Sequence, residues 1–270
     1  MQSLYLPDHD AFIRWHQIGT GRPLICLPGL SMPAMGSFLG LATAAVFADR
    51  CFVLIDYLGS GVSDPAANFD ATPQTHARSI AAVLDHLGLA DCDLFGHSMG
   101  GTVGIALAMA RPDLVGRLIV GEGNILDGGG AISLKIAGPG CDAFLTGGYA
   151  ALVEGFRDKA IRGDARAAFF HAAWSAADAA TLFGNAAGLV TLPAGFAERF
   201  FALTCPRVFL YGAFSHPDAT GGPSPDTPDP DLLRAHGVAC LTIPDVGHGM
   251  MRDNLPAFIP VFQQALSVTG

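Results

Sequence analysis

The chain has 270 residues, 50% of them hydrophobic and only 14% charged, with a formal net charge of −9. So apolar a composition excludes global disorder, and an acidic chain without basic clusters is not expected to bind nucleic acid. The six cysteines (Cys26, Cys51, Cys92, Cys141, Cys205 and Cys240) form no C-x-x-C pair. Neither a zinc site nor a redox pair is expected, and the thiols read as small buried hydrophobes of a reducing compartment. The first ten residues lack a basic, then apolar, leader pattern, and the uncharged run 94–110 is interrupted by glycines, a serine and a threonine. The expected location is therefore cytoplasmic, with no membrane partner.

In chain order, short apolar runs at 11–18, 24–27, 52–56, 93–95, 117–120, 207–211 and 239–243 read as strands. Most are continuous rather than alternating, as in strands buried on both faces. Helical patterns lie between them. Residues 75–87 place Ile80, Val83, Leu84 and Leu87 on one stripe before Gly88, and 101–110 are small and apolar all round. Strands alternating with helices predict a mostly parallel sheet covered on both sides. The rhythm breaks over 126–203, where helical pieces at 149–161, 165–180 and 194–203 predict a helical insertion over the sheet. The expected division is a core of 1–125 and 204–270 with a cap of 126–203. The Pro- and Gly-rich segment 215–231 reads as an exposed loop.

The strongest local signal is Gly96-His97-Ser98-Met99-Gly100-Gly101, directly after one predicted strand and directly before a helix. That is the context a G-x-S-x-G nucleophile turn requires. Glycines two residues either side remove the Cβ atoms that would collide in so sharp a bend.

These residues resemble the α/β-hydrolase superfamily, and three more motifs extend the resemblance along nearly the whole chain. Leu27-Pro28-Gly29-Leu30 is similar to the loop after that superfamily's third strand, although His-Gly is commoner there than Pro-Gly. Residues Asp56 to Ser63 are similar to its D-x-x-G-x-G-x-S turn. Gly247-His248-Gly249 followed by Asn254-Leu255-Pro256 is similar to its histidine loop and last helix. The resemblance implies an eight-stranded, mostly parallel sheet with helices on both faces and a helical cap. It also implies Ser98 as nucleophile and His248 as its base, in the superfamily's chain order of serine, acid, histidine. The backbone N–H groups of Leu30 and Met99 become the implied oxyanion donors.

The acid departs from the usual pattern. Ser215 occupies the position after the penultimate strand where most members carry Asp. Three alternatives remain: Glu122, between glycines after the preceding core strand, as in certain lactonases; Asp218, if its loop bulges; or no acid at all. Met32, Met35, Phe38, Phe144, Phe156, Phe169, Phe170, Trp174, Phe183 and Met250 are candidates to line an apolar cavity. The scarcity of charge in 126–203 predicts an uncharged, largely apolar small-molecule substrate. No phosphate-binding or dinucleotide fingerprint and no metal-ligand cluster is present, so no cofactor and no metal are expected. The expected function is a serine hydrolase acting on an ester or lactone through an acyl-enzyme. A C–C bond hydrolase or a cofactor-free perhydrolase with the same triad is the alternative, and a non-catalytic ligand-binding protein is the rival from another class. A homodimer is left open.

Overall fold

A computed structural model describes residues 1–66 and 68–269; Ala67 and Gly270, which the expected core ranges include, lie outside the described residues. Eight strands form one sheet: β1 Gln2–Leu6, β2 Ala11–Gly19, β3 Arg22–Leu27, β4 Arg50–Asp56, β5 Cys92–His97, β6 Val115–Gly121, β7 Arg207–Gly212 and β8 Ala239–Ile243. Their spatial order is β1-β2-β4-β3-β5-β6-β7-β8. Strand β2 runs antiparallel to both its neighbours, and every pairing from β4 to β8 is parallel. The seven strands expected from apolar runs are all present. The eighth, β1, has no apolar run because it is an edge strand in which only Leu6 is buried. Strand β5, by contrast, is buried at every residue.

The helices of the described fold include α1 Ala34–Ala42, α2 Pro73–His86, α3 Met99–Ala110, α4 Ala131–Ala137, α5 Tyr149–Ile161, α6 Ala165–Ser175, α7 Ala179–Val190, α8 Phe196–Phe201 and α9 Leu255–Ser267, with a further six-residue helical turn at Pro230–Ala235. Successive side chains of a strand point to opposite faces, so each inner strand feeds two cores. Ile25, Leu27, Val53, Ile55, Leu94 and Val120 pack on one face with Ile80 of α2 and Val103 of α3. Leu24, Cys26, Phe52, Leu54, Phe95 and Ile119 pack on the other with Phe38 of α1 and Phe258 and Phe262 of α9.

Between β6 and β7 the described chain is helical, with no strand. The expected helix over 165–180 is two helices. Asp178 ends the run because its carboxylate accepts the Thr181 N–H and caps α7, a stronger local preference than continued helix. Leu182, Ala186 and Leu189 of α7 join the same apolar cluster as α2 and α3. The segment 215–231 differs from the expected exposed loop. It contains a helical turn at Pro217–Thr220, and Pro230 opens another at Pro230–Ala235. Proline at the first helical position supplies the φ the turn needs. Thr227 is buried, and the Tyr211 hydroxyl donates to the Pro228 carbonyl at 2.8 Å.

At the end of the sheet where the parallel strands begin, one fully buried carboxylate gathers three guanidiniums. Asp93 of β5 accepts from Arg22 at 3.0 Å, from Arg117 at 2.6 Å, and from Arg50. Removing one partner of such a cluster leaves charge without compensation. Asp93→Ala is expected to lower unfolding free energy by about 3–5 kcal/mol, read as a reduced urea midpoint at unchanged slope. A variant as stable as the parent would show that the cluster contributes nothing.

Candidate active site

The turn between β5 and α3 carries Ser98 at φ 55°, ψ −124°, a conformation L-residues rarely adopt. Two close approaches explain the sequence around it. A Cβ on Gly96 would lie 2.1 Å from the Gly100 carbonyl oxygen, and one on Gly100 would lie 2.0 Å from that of Leu27. The Ser98 N–H donates to the Gly121 carbonyl at 2.7 Å, which ties the turn to the end of β6. The N-terminus of α3 lies directly behind, so its dipole favours negative charge at this point.

The next residue after β6 is Glu122, with φ 47° and no solvent exposure. Its Oε2 lies 2.6 Å from His248 Nδ1. Its Oε1 accepts the Gly212 N–H at 2.7 Å and also the Ser215 hydroxyl. The structure thus brings His248 to Glu122. Asp218 is 93% exposed at its side chain and lies beside His216 instead. Ser215, at the position where an Asp is usual, still serves the carboxylate: it donates to the glutamate that stands in from the neighbouring strand.

Ser98 and His248 line one cleft of about 240 Å³. Among the described residues no hydrogen bond joins the Ser98 hydroxyl to His248. Leu30 also lines this cleft, and Met99 is the first residue of α3. Neither the Leu30 nor the Met99 N–H has a protein acceptor among the described residues.

Sequence reasoning missed what holds the Leu30 loop. Trp174 Nε1 of α6 donates to the Leu30 carbonyl at 2.9 Å, and the Tyr57 hydroxyl donates to the Pro28 carbonyl at 3.2 Å. Ser31, at φ 50°, accepts from Asn185 Nδ2 of α7 at 2.9 Å, and Asn185 Oδ1 is 2.6 Å from His76 Nε2 of α2. His76 and Asn185 carry no motif, and only the packing of α7 on α2 puts them together. His97, the variable residue of the serine turn, bonds the His248 carbonyl through Nε2 at 2.7 Å. Asn124 lines the cleft with a buried Nδ2 that has no acceptor among the described residues.

Of the apolar candidates, Met32, Phe169, Phe170 and Trp174 line the cleft. Phe38 and Met250 lie in the core beneath the sheet, while Phe144, Phe156 and Phe183 pack within the other core. The cleft is not free of charge. Arg166 of α6 and Arg252 also line the cleft. Arg252 comes from the turn Met250–Asp253 after His248, outside the segment whose low charge prompted the expectation. Among the described residues there is no cluster of three potential metal ligands, and no helix is long and apolar enough to cross a membrane.

The family model of the α/β-hydrolase fold matches residues 22–127. The enol-lactonase from Burkholderia xenovorans LB400 superposes with a TM-score of 0.78 at 17% identity, covering 99% of this chain and 100% of that one. With its eight-stranded sheet, the chain has the α/β-hydrolase fold. A 2-hydroxy-6-oxononadienedioate/2-hydroxy-6-oxononatrienedioate hydrolase of Cupriavidus pinatubonensis is 32% identical over 118 residues, 42% of this chain and 41% of that protein. Haloalkane dehalogenase 2 of Mycobacterium tuberculosis is 35% identical over 123 residues, 45% of this chain and 42% of that protein. The matched stretch spans about two-fifths of the length of these curated relatives.

Burial holds His76 and His97 neutral, with pKa values lowered to about 4 and about 3. Each lies below the unfolded value of about 6.5, so the unfolded chain binds more protons between the two. The stability they contribute is present above pH 6.5 and is lost as pH falls toward 4. Urea midpoints are expected to fall from pH 7 to pH 5, and less steeply in His76→Gln, which keeps a donor to Asn185. An equal slope in both proteins would show that His76 does not titrate on unfolding.

Proposed function

We propose that the protein is a serine hydrolase that cleaves a carboxylic ester or lactone of a small molecule. The observation that carries this reading is the hydrogen bond to buried Glu122 made by Nδ1 of His248, which lines the same cleft as Ser98. With Nδ1–H donated to the carboxylate, Nε2 is unprotonated and can act as a base. Ser98 Oγ attacks the carbonyl carbon while Nε2 takes its proton. The oxyanion accepts from the Leu30 and Met99 N–H groups, neither of which has a protein acceptor among the described residues. Collapse expels the alkoxide, which receives the proton from Nε2, and leaves an acyl-serine. Water, deprotonated by Nε2, attacks the acyl-serine, and Ser98 leaves with that proton, releasing the acid. Glu122 holds the ring in one tautomer and stabilises the imidazolium.

The helices of 126–203 serve as the cap of this cleft, with Trp174 contributing both to its wall and to the bracing of the Leu30 loop. Serine at the turn disfavours chemistry that forms an aspartyl ester. C–C bond hydrolysis by the same groups is the second reading, favoured by the similarity to hydrolases of 2-hydroxy-6-oxononadienedioate.

A fluorophosphonate probe is expected to label Ser98 in the folded protein and to leave Ser98→Ala unlabelled; absence of labelling would favour a non-catalytic binding protein. Glu122→Gln is expected to lower kcat on p-nitrophenyl acetate on the order of 10³-fold or more. Asp218→Asn should retain parental turnover. The reverse pattern would move the acid to Asp218.

A further inference from the structure

The cleft beside Ser98 contains two guanidiniums with no carboxylate to match. Arg252 lies half-buried, its guanidinium carbon 4.2 Å from the centre of the Phe169 ring and 5.7 Å from that of Phe170. Arg166 approaches the same Phe170 ring at 5.8 Å. Among the described residues neither arginine has an ion-pair partner within 4 Å, although most other arginines do. Two carboxylates are close by. Asp226 lines the cleft and accepts from the Ser224 hydroxyl at 2.7 Å. Asp253 follows Arg252 in the chain but packs back on Gly249, where a Cβ would meet its Oδ2 at 2.1 Å. Burial disfavours the charge of Arg252, while the neighbouring Asp253 favours it and Arg166 disfavours it.

A guanidinium stacked on a phenyl ring has its face covered and its N–H edge free. Stacking also fixes the plane of that edge, so less freedom is lost when a bidentate acceptor arrives. A planar carboxylate matches such an edge with two parallel hydrogen bonds.

We infer that Arg252 and Arg166 form a subsite for a carboxylate carried by the substrate, remote from the bond that Ser98 attacks. The natural substrate is then the ester or lactone of a molecule with a free acid group, not an uncharged one. This inference rests on the hydrolase reading above and names the substrate class of the same site. An acid-bearing substrate would neutralise the repulsion between the arginines and place its scissile carbonyl by its far end.

The test compares p-nitrophenyl hydrogen adipate with p-nitrophenyl hexanoate, esters of matched chain length with and without a terminal carboxylate. The parent protein is expected to favour the adipate by about tenfold or more in kcat/KM, mostly through KM. Arg252→Gln should reduce that ratio about tenfold, and Arg252→Gln with Arg166→Gln should bring it close to one. A parent that favours the hexanoate, or a ratio unmoved by both substitutions, overturns the inference while labelling at Ser98 leaves the hydrolase reading intact. If neither ester is turned over and Ser98 is not labelled, the hydrolase reading has failed. Adipate titrated by calorimetry then judges the subsite alone: binding weakened tenfold by Arg252→Gln upholds it, and no binding, or binding unchanged, removes it. Methylphosphonate binding more tightly than adipate would overturn the carboxylate assignment.

Discussion

A carboxylate fully removed from water must find its hydrogen bonds within the protein, and the arrangement around Ser98 depends on how Glu122 finds them. Three donors converge on it: the Gly212 N–H from the end of β7, the Ser215 hydroxyl, and His248. Burying an ionised group is costly unless such donors are complete, so the carboxylate fixes the spacing of its neighbours as much as they fix it. The ends of β6, β7 and β8 must keep their register for all three contacts to form. Glu122 bonds to β7 by backbone as well, its N–H donating to the Leu210 carbonyl at 3.2 Å. The tautomer of His248 follows from this cluster.

The serine turn was fully legible in the sequence, because its glycines answer a steric demand that any chain must meet in the same way. The histidine loop was legible through the same motif order. The acid was legible only as a choice. A carboxylate after either of two strands can reach one imidazole, and sequence does not say which loop turns inward. Ser215, a hydroxyl where an Asp is usual, donates to the glutamate from the neighbouring strand, and that glutamate is the carboxylate His248 meets. Strand β1 was hidden because an edge strand buries little. The two arginines of the cleft were hidden because 252 and 166 lie 86 positions apart and meet only through Phe169 and Phe170. Low average charge in a segment says nothing about the charge of a pocket that draws on several segments.

The loop bearing Leu30 shows how the helical segment enters the chemistry without touching the reacting atoms. Its carbonyls and Ser31 are held by Trp174, Tyr57 and Asn185, two of them from 126–203. Donors aimed at a developing oxyanion are effective only if they are fixed before reaction. Here the fixing comes from α6 and α7. Helix α7 is held in turn by apolar packing on α2 and α3 and by the Asn185–His76 contact. Loss of α6 and α7 packing would thus loosen the Leu30 loop.

The two ends of the sheet treat positive charge in opposite ways. Where the parallel strands begin, Asp93 matches Arg22, Arg50 and Arg117, and that cluster is satisfied within the protein. Where they end, Ser98, Glu122 and His248 follow β5, β6 and β8, and Arg166 and Arg252 face the cleft without a counter-ion among the described residues. Strand termini at this end of a parallel sheet are where ligands bind in open α/β folds. A satisfied cluster adds stability and needs nothing further. Burial disfavours the charge of Arg252, which faces the cleft without such a partner. The contrast between the ends is therefore more informative than either alone. One buried carboxylate, Asp93, gathers three guanidiniums, whereas half-buried Arg252 and exposed Arg166 have no carboxylate within 4 Å among the described residues.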